Sequence, residues 1–147
     1  MKNDTKRSRL PLAAGLLLFA AAALWALTRT FGCGADSIPG ATNEQRIAYI
    51  ESFGWDPGFT HTAVDNVRIP VEFDDVYEEY NALQRKQGFD LLKYRAHNVK
   101  RYTYELAGDT AVPLNAELLV ENGVIIGADI VSPVAGGFQG ALAVSEN

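Results

Sequence analysis

Apolar residues fall along this chain in three successive patterns: an unbroken run, two helical stripes and a series of strand-length alternations. The run is Leu10–Leu27, LPLAAGLLLFAAAALWAL, which carries no charge. At about 1.5 Å of rise per residue it would extend roughly 27 Å, close to a hydrocarbon core of about 30 Å. Pro11 falls in its first turn, where the missing N–H breaks no helix bond. Trp25, near its far end, suits the headgroup layer. The run is apolar on all sides and starts just behind Lys2, Lys6, Arg7 and Arg9. It therefore reads as a transmembrane helix over 10–28 behind a basic tail at 1–9, not as a core helix. The bias of cations toward one flank places residues 1–9 in the cytoplasm and the rest of the chain outside a plasma membrane, crossed once.

Two other readings of this segment stay open. Cys33 and Ala35 supply small residues for a signal cleaved after Ala35, but the run exceeds the 7–15 apolar residues usual for such signals. A lipid-modified Cys33 fits less well, because Thr30, Phe31 and Gly32 precede it and Arg29 separates it from the run. The uncleaved anchor is preferred, with residues 29–41 as linker.

Beyond the linker, Thr42 followed by Gln45 forms a capping box. Ile47, Ile50 and Phe53 then recur at helical spacing up to Gly54, which predicts a helix over about 43–53. Thr60–Ile69 reads as a strand ended by Pro70. A second helix starts near Glu72–Asp74, carries the stripe Phe73, Val76, Tyr77, Tyr80 and Leu83, and closes at Gly88. Its acids lie in the first turns, and Arg85 and Lys86 in the last, opposing the helix dipole at both ends. Strands follow at Asp90–Tyr94, Val99–Leu106, Leu114–Glu121 and Val124–Val131. The last two are joined by Asn122-Gly123, a strong hairpin signal because both residues tolerate positive φ. The order predicts an α+β domain over 42–147, with two helices packed on one face of an antiparallel sheet of four to five strands, preceded by the single transmembrane helix.

Several of these segments taken together resemble a known family. RIAYIESFGW (46–55), IPVEFDDVYEEYNALQRKQGFDLLKYR (69–95), VKRYTYEL (99–106) and VIIGADI (124–130) are similar to small, membrane-anchored bacterial proteins known only as a domain of unknown function. The most specific block carries Tyr77, Tyr80, Asn81, Gln84, Gly88, Phe89, Asp90 and Leu91, and Gly137-Phe138 also matches. Gly127-Ala128-Asp129 departs from a pattern with two glycines before the acid. The resemblance covers about 44–142 and implies topology and location, with no activity, cofactor or catalytic residue.

Charge changes the picture once the chain is divided. Residues 1–34 carry five cations against Asp4, whereas residues 35–147 carry 8 Lys or Arg against 17 Asp or Glu. So acidic a domain excludes nucleic acid as a partner, because backbone binding needs clustered cations. The single cysteine excludes a disulfide framework and Cys-rich zinc sites. No P-loop, dinucleotide fingerprint or G-x-S-x-G occurs. His61 and His97 have no metal-ligand spacing, and the acids Asp74, Asp75, Glu78 and Glu79 lack an EF-hand loop. No metal or cofactor is expected.

The candidate functional residues are Asp129, Asp90, Lys100, Tyr102 and Tyr104. An even hairpin loop would pair Ala116 with Asp129 and turn that carboxylate toward the apolar set Leu114, Ala116, Leu118 and Val120. Such a group needs a partner such as Lys100, Arg101 or a tyrosine hydroxyl. Asn81 and Gln84, beside the stripe of the second helix, are expected to satisfy backbone groups. Lys93, Arg95, His97, Lys100, Tyr102 and Tyr104 offer a cationic, aromatic surface to an anionic polymer or headgroup. The expected function is a non-enzymatic binding or interaction role in the cell envelope, with the bilayer held through 10–28 and a protein or envelope component as partner. The alternatives are an envelope hydrolase using Asp129 or Asp90, and an accessory subunit of a membrane complex.

Overall fold

The computed structural model describes residues 37–108 and 111–142. The predicted tail, transmembrane helix and most of the linker lie outside these residues. Among the described residues no helix is long and apolar enough to cross a membrane.

The chain runs β1 (Ile38–Pro39), α1 (Asn43–Glu51), β2 (Ala63–Arg68), α2 (Asp75–Arg85), a 3-10 turn (Leu91–Tyr94), β3 (Asn98–Leu106), β4 (Leu114–Glu121), β5 (Val124–Val131) and β6 (Gln139–Gly140). The strands form one antiparallel sheet in the order β1-β5-β4-β3-β2, with β6 also on β5. The α+β class holds. Two-residue β1 and β6 bring the strands to six, where four to five were expected. Asp90–Tyr94 is not a strand: the Asp90 carboxylate accepts from the Leu92 N–H at 3.2 Å and caps a helical turn. A short apolar run carries no period of its own, so the cap decides its form.

Thr42 and Gln45 make the expected capping box at α1. Asn122 and Gly123 take φ of 49° and 80°, the left-handed pair that a two-residue hairpin requires. Glu121 therefore faces Val124, and Val120 faces Ile125. The register then slips. Leu119 faces Gly127, so Ile126 is an extra residue, a β-bulge. From there Ala116 faces Ile130, and Asp129 faces Glu117 instead of the expected Ala116.

The two helices cover opposite faces of the sheet, one each, where a single covered face was expected. On the α1 face, Ile50 packs with Tyr104, Leu118, Ala128 and Leu142, all wholly buried. On the α2 face, Tyr77 and Tyr80 pack with Ile69, Leu91, Val99, Leu119 and Ile126. Each fully buried Leu or Ile contributes about 1.5–3 kcal/mol. Val76, placed by its spacing on the buried stripe of α2, is 75% exposed. Its place on the inward side is taken by Asn81 and Gln84, both buried.

The sheet has two dissimilar edges. On β5, β1 pairs with Val124 and Ile125, and β6 pairs with Ile130 and Val131. In the gap between them, the Ala128 N–H donates to Gln84 Oε1 at 2.9 Å and its carbonyl accepts from Gln87 Nε2 at 2.7 Å. Two glutamine amides thus stand in for a strand. Gly127 lets Gln84 this close, since a Cβ there would lie 3.2 Å from Oε1. At the other edge, β2 pairs with β3 alone among the described residues. Ile69 N–H bonds the His97 carbonyl, so the two-residue alternation of an antiparallel ladder turns the N–H and C=O of Val64, Asn66 and Arg68 away from β3.

Candidate functional site

Asp129 is completely buried, on the α2 face and not among the apolar set of β4. Tyr80 O–H donates to Oδ1 at 2.9 Å and Gln139 Nε2 to Oδ2 at 2.7 Å. Burial raises its pKa from the usual value, against the pull of those two donors and of Arg101. Burial also pushes the Tyr80 hydroxyl well above its usual value, and the Asp129 charge adds to that. The tyrosine therefore remains a donor.

Beside this pair lies a charged row that crosses three strands. Arg101 Nη2 donates to Asp65 Oδ2 at 3.0 Å, and its Nη1 lies 3.4 Å from Glu117 Oε2. The Arg101 Nε is buried and has no hydrogen-bond partner among the described residues. Burial, with the neighbouring Asp129 charge, raises the pKa of Glu117 in spite of Arg101. Two carboxylates with raised pKa values thus face each other across β4 and β5. One of them, Asp129, is sealed from solvent with both oxygens occupied.

Arg101 and Glu117 form part of the floor of a groove of about 730 Å³ between α2 and the sheet. Val67, Val76, Tyr77, Tyr80, Leu83 and Leu119 supply its apolar lining. Glu79, Lys86 and Gln139 supply further polar groups. An apolar concavity with a few convergent polar side chains and shifted carboxylates has the general form of a binding site.

The other candidates lie elsewhere. Asp90 does not join Asp129: it caps the 3-10 turn and takes hydrogen bonds from Asn81 Nδ2 and Arg85 Nε, each at 3.4 Å. Slight burial opposes these bonds, yet together with the Leu92 amide they hold Asp90 below its usual pKa. Tyr102 and Tyr104 pack against the α1 core, so the expected aromatic docking surface is largely covered by the protein itself. Lys100 is exposed and lines, with Tyr102, a separate cleft beside the β4–β5 turn.

Arg46 covers these rings, and sequence reasoning missed it. Its guanidinium carbon lies 3.7 Å from the Tyr102 ring centroid. Nε donates to Tyr104 O–H at 2.9 Å, and Nη1 to the carbonyls of Gly40 and Ala41 at 2.7 and 3.2 Å. The residue is 4% exposed with no carboxylate ion pair among the described residues. The signal was its spacing, since Arg46, Ile50 and Phe53 share one helix face. Asn81 and Gln84 do what was expected of them: Asn81 Oδ1 accepts from Leu91 N–H at 2.8 Å, and Gln84 holds Ala128. Among the described residues no group of three or more His, Cys, Asp and Glu is arranged to hold a metal ion.

Comparison with known proteins places this arrangement in one family. The profile of a family described as a domain of unknown function (DUF4830) matches residues 49–130, more than half of the chain. That stretch includes every residue of the Asp129 cluster except Gln139. No curated protein and no solved structure matches the chain.

Proposed function

We propose, taking as premise that the chain belongs to the DUF4830 family, that it is a non-enzymatic binding module of a bacterial cell envelope. A single helix over 10–28 tethers it, with residues 1–9 cytoplasmic and the α+β domain outside. The observation that carries the binding role is the groove under α2, with apolar walls and an Arg101–Glu117 floor. The anchor rests on the uncharged run behind four cations. A hydrolase would need two positioned carboxylates open to a substrate. Asp129 is buried beneath the groove with both oxygens bonded, and Asp90 is committed to a cap. Those commitments favour binding over carboxylate chemistry.

Two measurements test this reading. A thiol reagent that cannot cross membranes, applied to intact cells, should label Cys33, and failure to label it unless cells are lysed overturns the exported placement. A photocrosslinking residue at position 76, in the groove lining, should give a discrete adduct in living cells, whereas the same residue at exposed Phe59 should not. Identical patterns from the two positions would overturn the groove as the recognition surface.

A further inference from the structure

One edge of the sheet is closed three times over, by β1, by β6 and by the Gln84 and Gln87 amides on Ala128. The opposite edge, β2, is six residues long with no proline and no bulge, and five of its six residues are exposed. Natural sheets blunt such edges, because a row of free N–H and C=O groups is a template for another chain. The open edge is also continuous with the groove, since Val67 belongs to both. Beside the groove mouth, the N-cap and first two turns of α2 carry Asp74, Asp75, Glu78 and Glu79 and no cation.

We infer that β2 receives an extended segment of a partner protein, which adds to the sheet as a further strand and sends alternate side chains over the groove. Main-chain bonds to Val64, Asn66 and Arg68 provide affinity, and the groove-facing positions provide selectivity. On that face β2 shows Asp65 and Val67, two residues apart. The matching partner places a basic side chain opposite Asp65 and an apolar one opposite Val67 and Val76. The occupant is thus a peptide with basic and apolar residues at i and i+2. Arg101 contributes little repulsion, because Asp65 and Glu117 neutralise it. This inference rests on the groove being the recognition surface.

The test uses full-length protein in lipid nanodiscs and three synthetic twelve-residue peptides, three repeats each of Lys-Thr-Val-Thr, Glu-Thr-Val-Thr and Lys-Pro-Val-Pro. Hydrogen exchange at the Val64, Asn66 and Arg68 amides should slow at least tenfold with the first peptide and stay unchanged with the other two. Val76→Lys, on a side chain already 75% exposed, should abolish the effect without unfolding the protein. Asn66→Pro should do the same by removing an outward N–H. Equal protection by all three peptides, or none in β2 with the first, would overturn the proposal. So would β2 protection in the free protein that rises with its own concentration, which would make a second copy the occupant. A specific adduct from position 76 in cells together with unprotected β2 amides would sink strand addition and leave the groove reading intact.

Discussion

The two edges of this sheet present the same backbone chemistry to their surroundings and are treated in opposite ways. Along β5 every part of the free edge is occupied, and where no strand is available two glutamine side chains supply the missing donor and acceptor. Along β2 nothing among the described residues occupies it. A fold that places fully buried Gln84 against one backbone edge, with its Nε2 unbonded among the described residues, accepts a cost of order 1–3 kcal/mol for that orphan donor. The same fold leaves a six-residue strand, five of its residues exposed, open at the other edge. Closure of β5 is thus a stability requirement, because Ala128 is buried. Exposure of β2 costs the isolated domain little, since water can satisfy its outward groups.

The largest effect should come from breaking the closed edge. Gln84→Ala leaves the buried Ala128 N–H without its acceptor and opens a cavity, and urea unfolding should show a loss of about 2–4 kcal/mol. A loss below about 0.5 kcal/mol would mean that the edge is satisfied some other way. Gly123→Ala should cost about 1 kcal/mol or more, since φ there is +80° and the new Cβ would lie 3.0 Å from Ala41 Cβ. Thr42→Ala should cost about 1 kcal/mol by removing the acceptor for the Gln45 N–H.

A smaller effect is expected from Glu117→Gln, visible as a change in pH dependence. Burial raises the pKa of Glu117 in the folded state, so folding favours its protonated form. Its contribution is fully present below the unfolded value, ordinarily 4.5, and is lost as pH rises through the raised folded value. The variant should therefore gain stability relative to the parent as pH rises across that window. A flat difference would show that Arg101 offsets burial completely. Smallest of all, Asn66→Lys on the open edge should change stability by less than about 0.5 kcal/mol.

Much of this architecture was legible in the residues. β4 and β5 fall where alternation and Asn122-Gly123 place them, because a two-residue left-handed turn fixes both ends of a hairpin. The capping box and the backbone duty of Asn81 and Gln84 were equally readable, since each depends on local geometry. The bulge at Ile126 was not: an extra residue inside the apolar run Val124–Ile126 leaves no trace in the pattern. Asp129 is consequently buried as its neighbours suggested, but on the opposite face, where Tyr80 and Gln139 are its partners. The groove also escaped notice, because it depends on which strands α2 crosses. Arg46 was hidden by its charge, although its spacing marked it as inward.

Native-state hydrogen exchange on the full-length protein tests the contrast between edges most directly. The Ala128 amide should exchange only through global unfolding, while the outward amides of Val64, Asn66 and Arg68 exchange at least a hundredfold faster. Comparable protection at all four would contradict the account, since it would mean that β2 is already covered and has no free edge to offer.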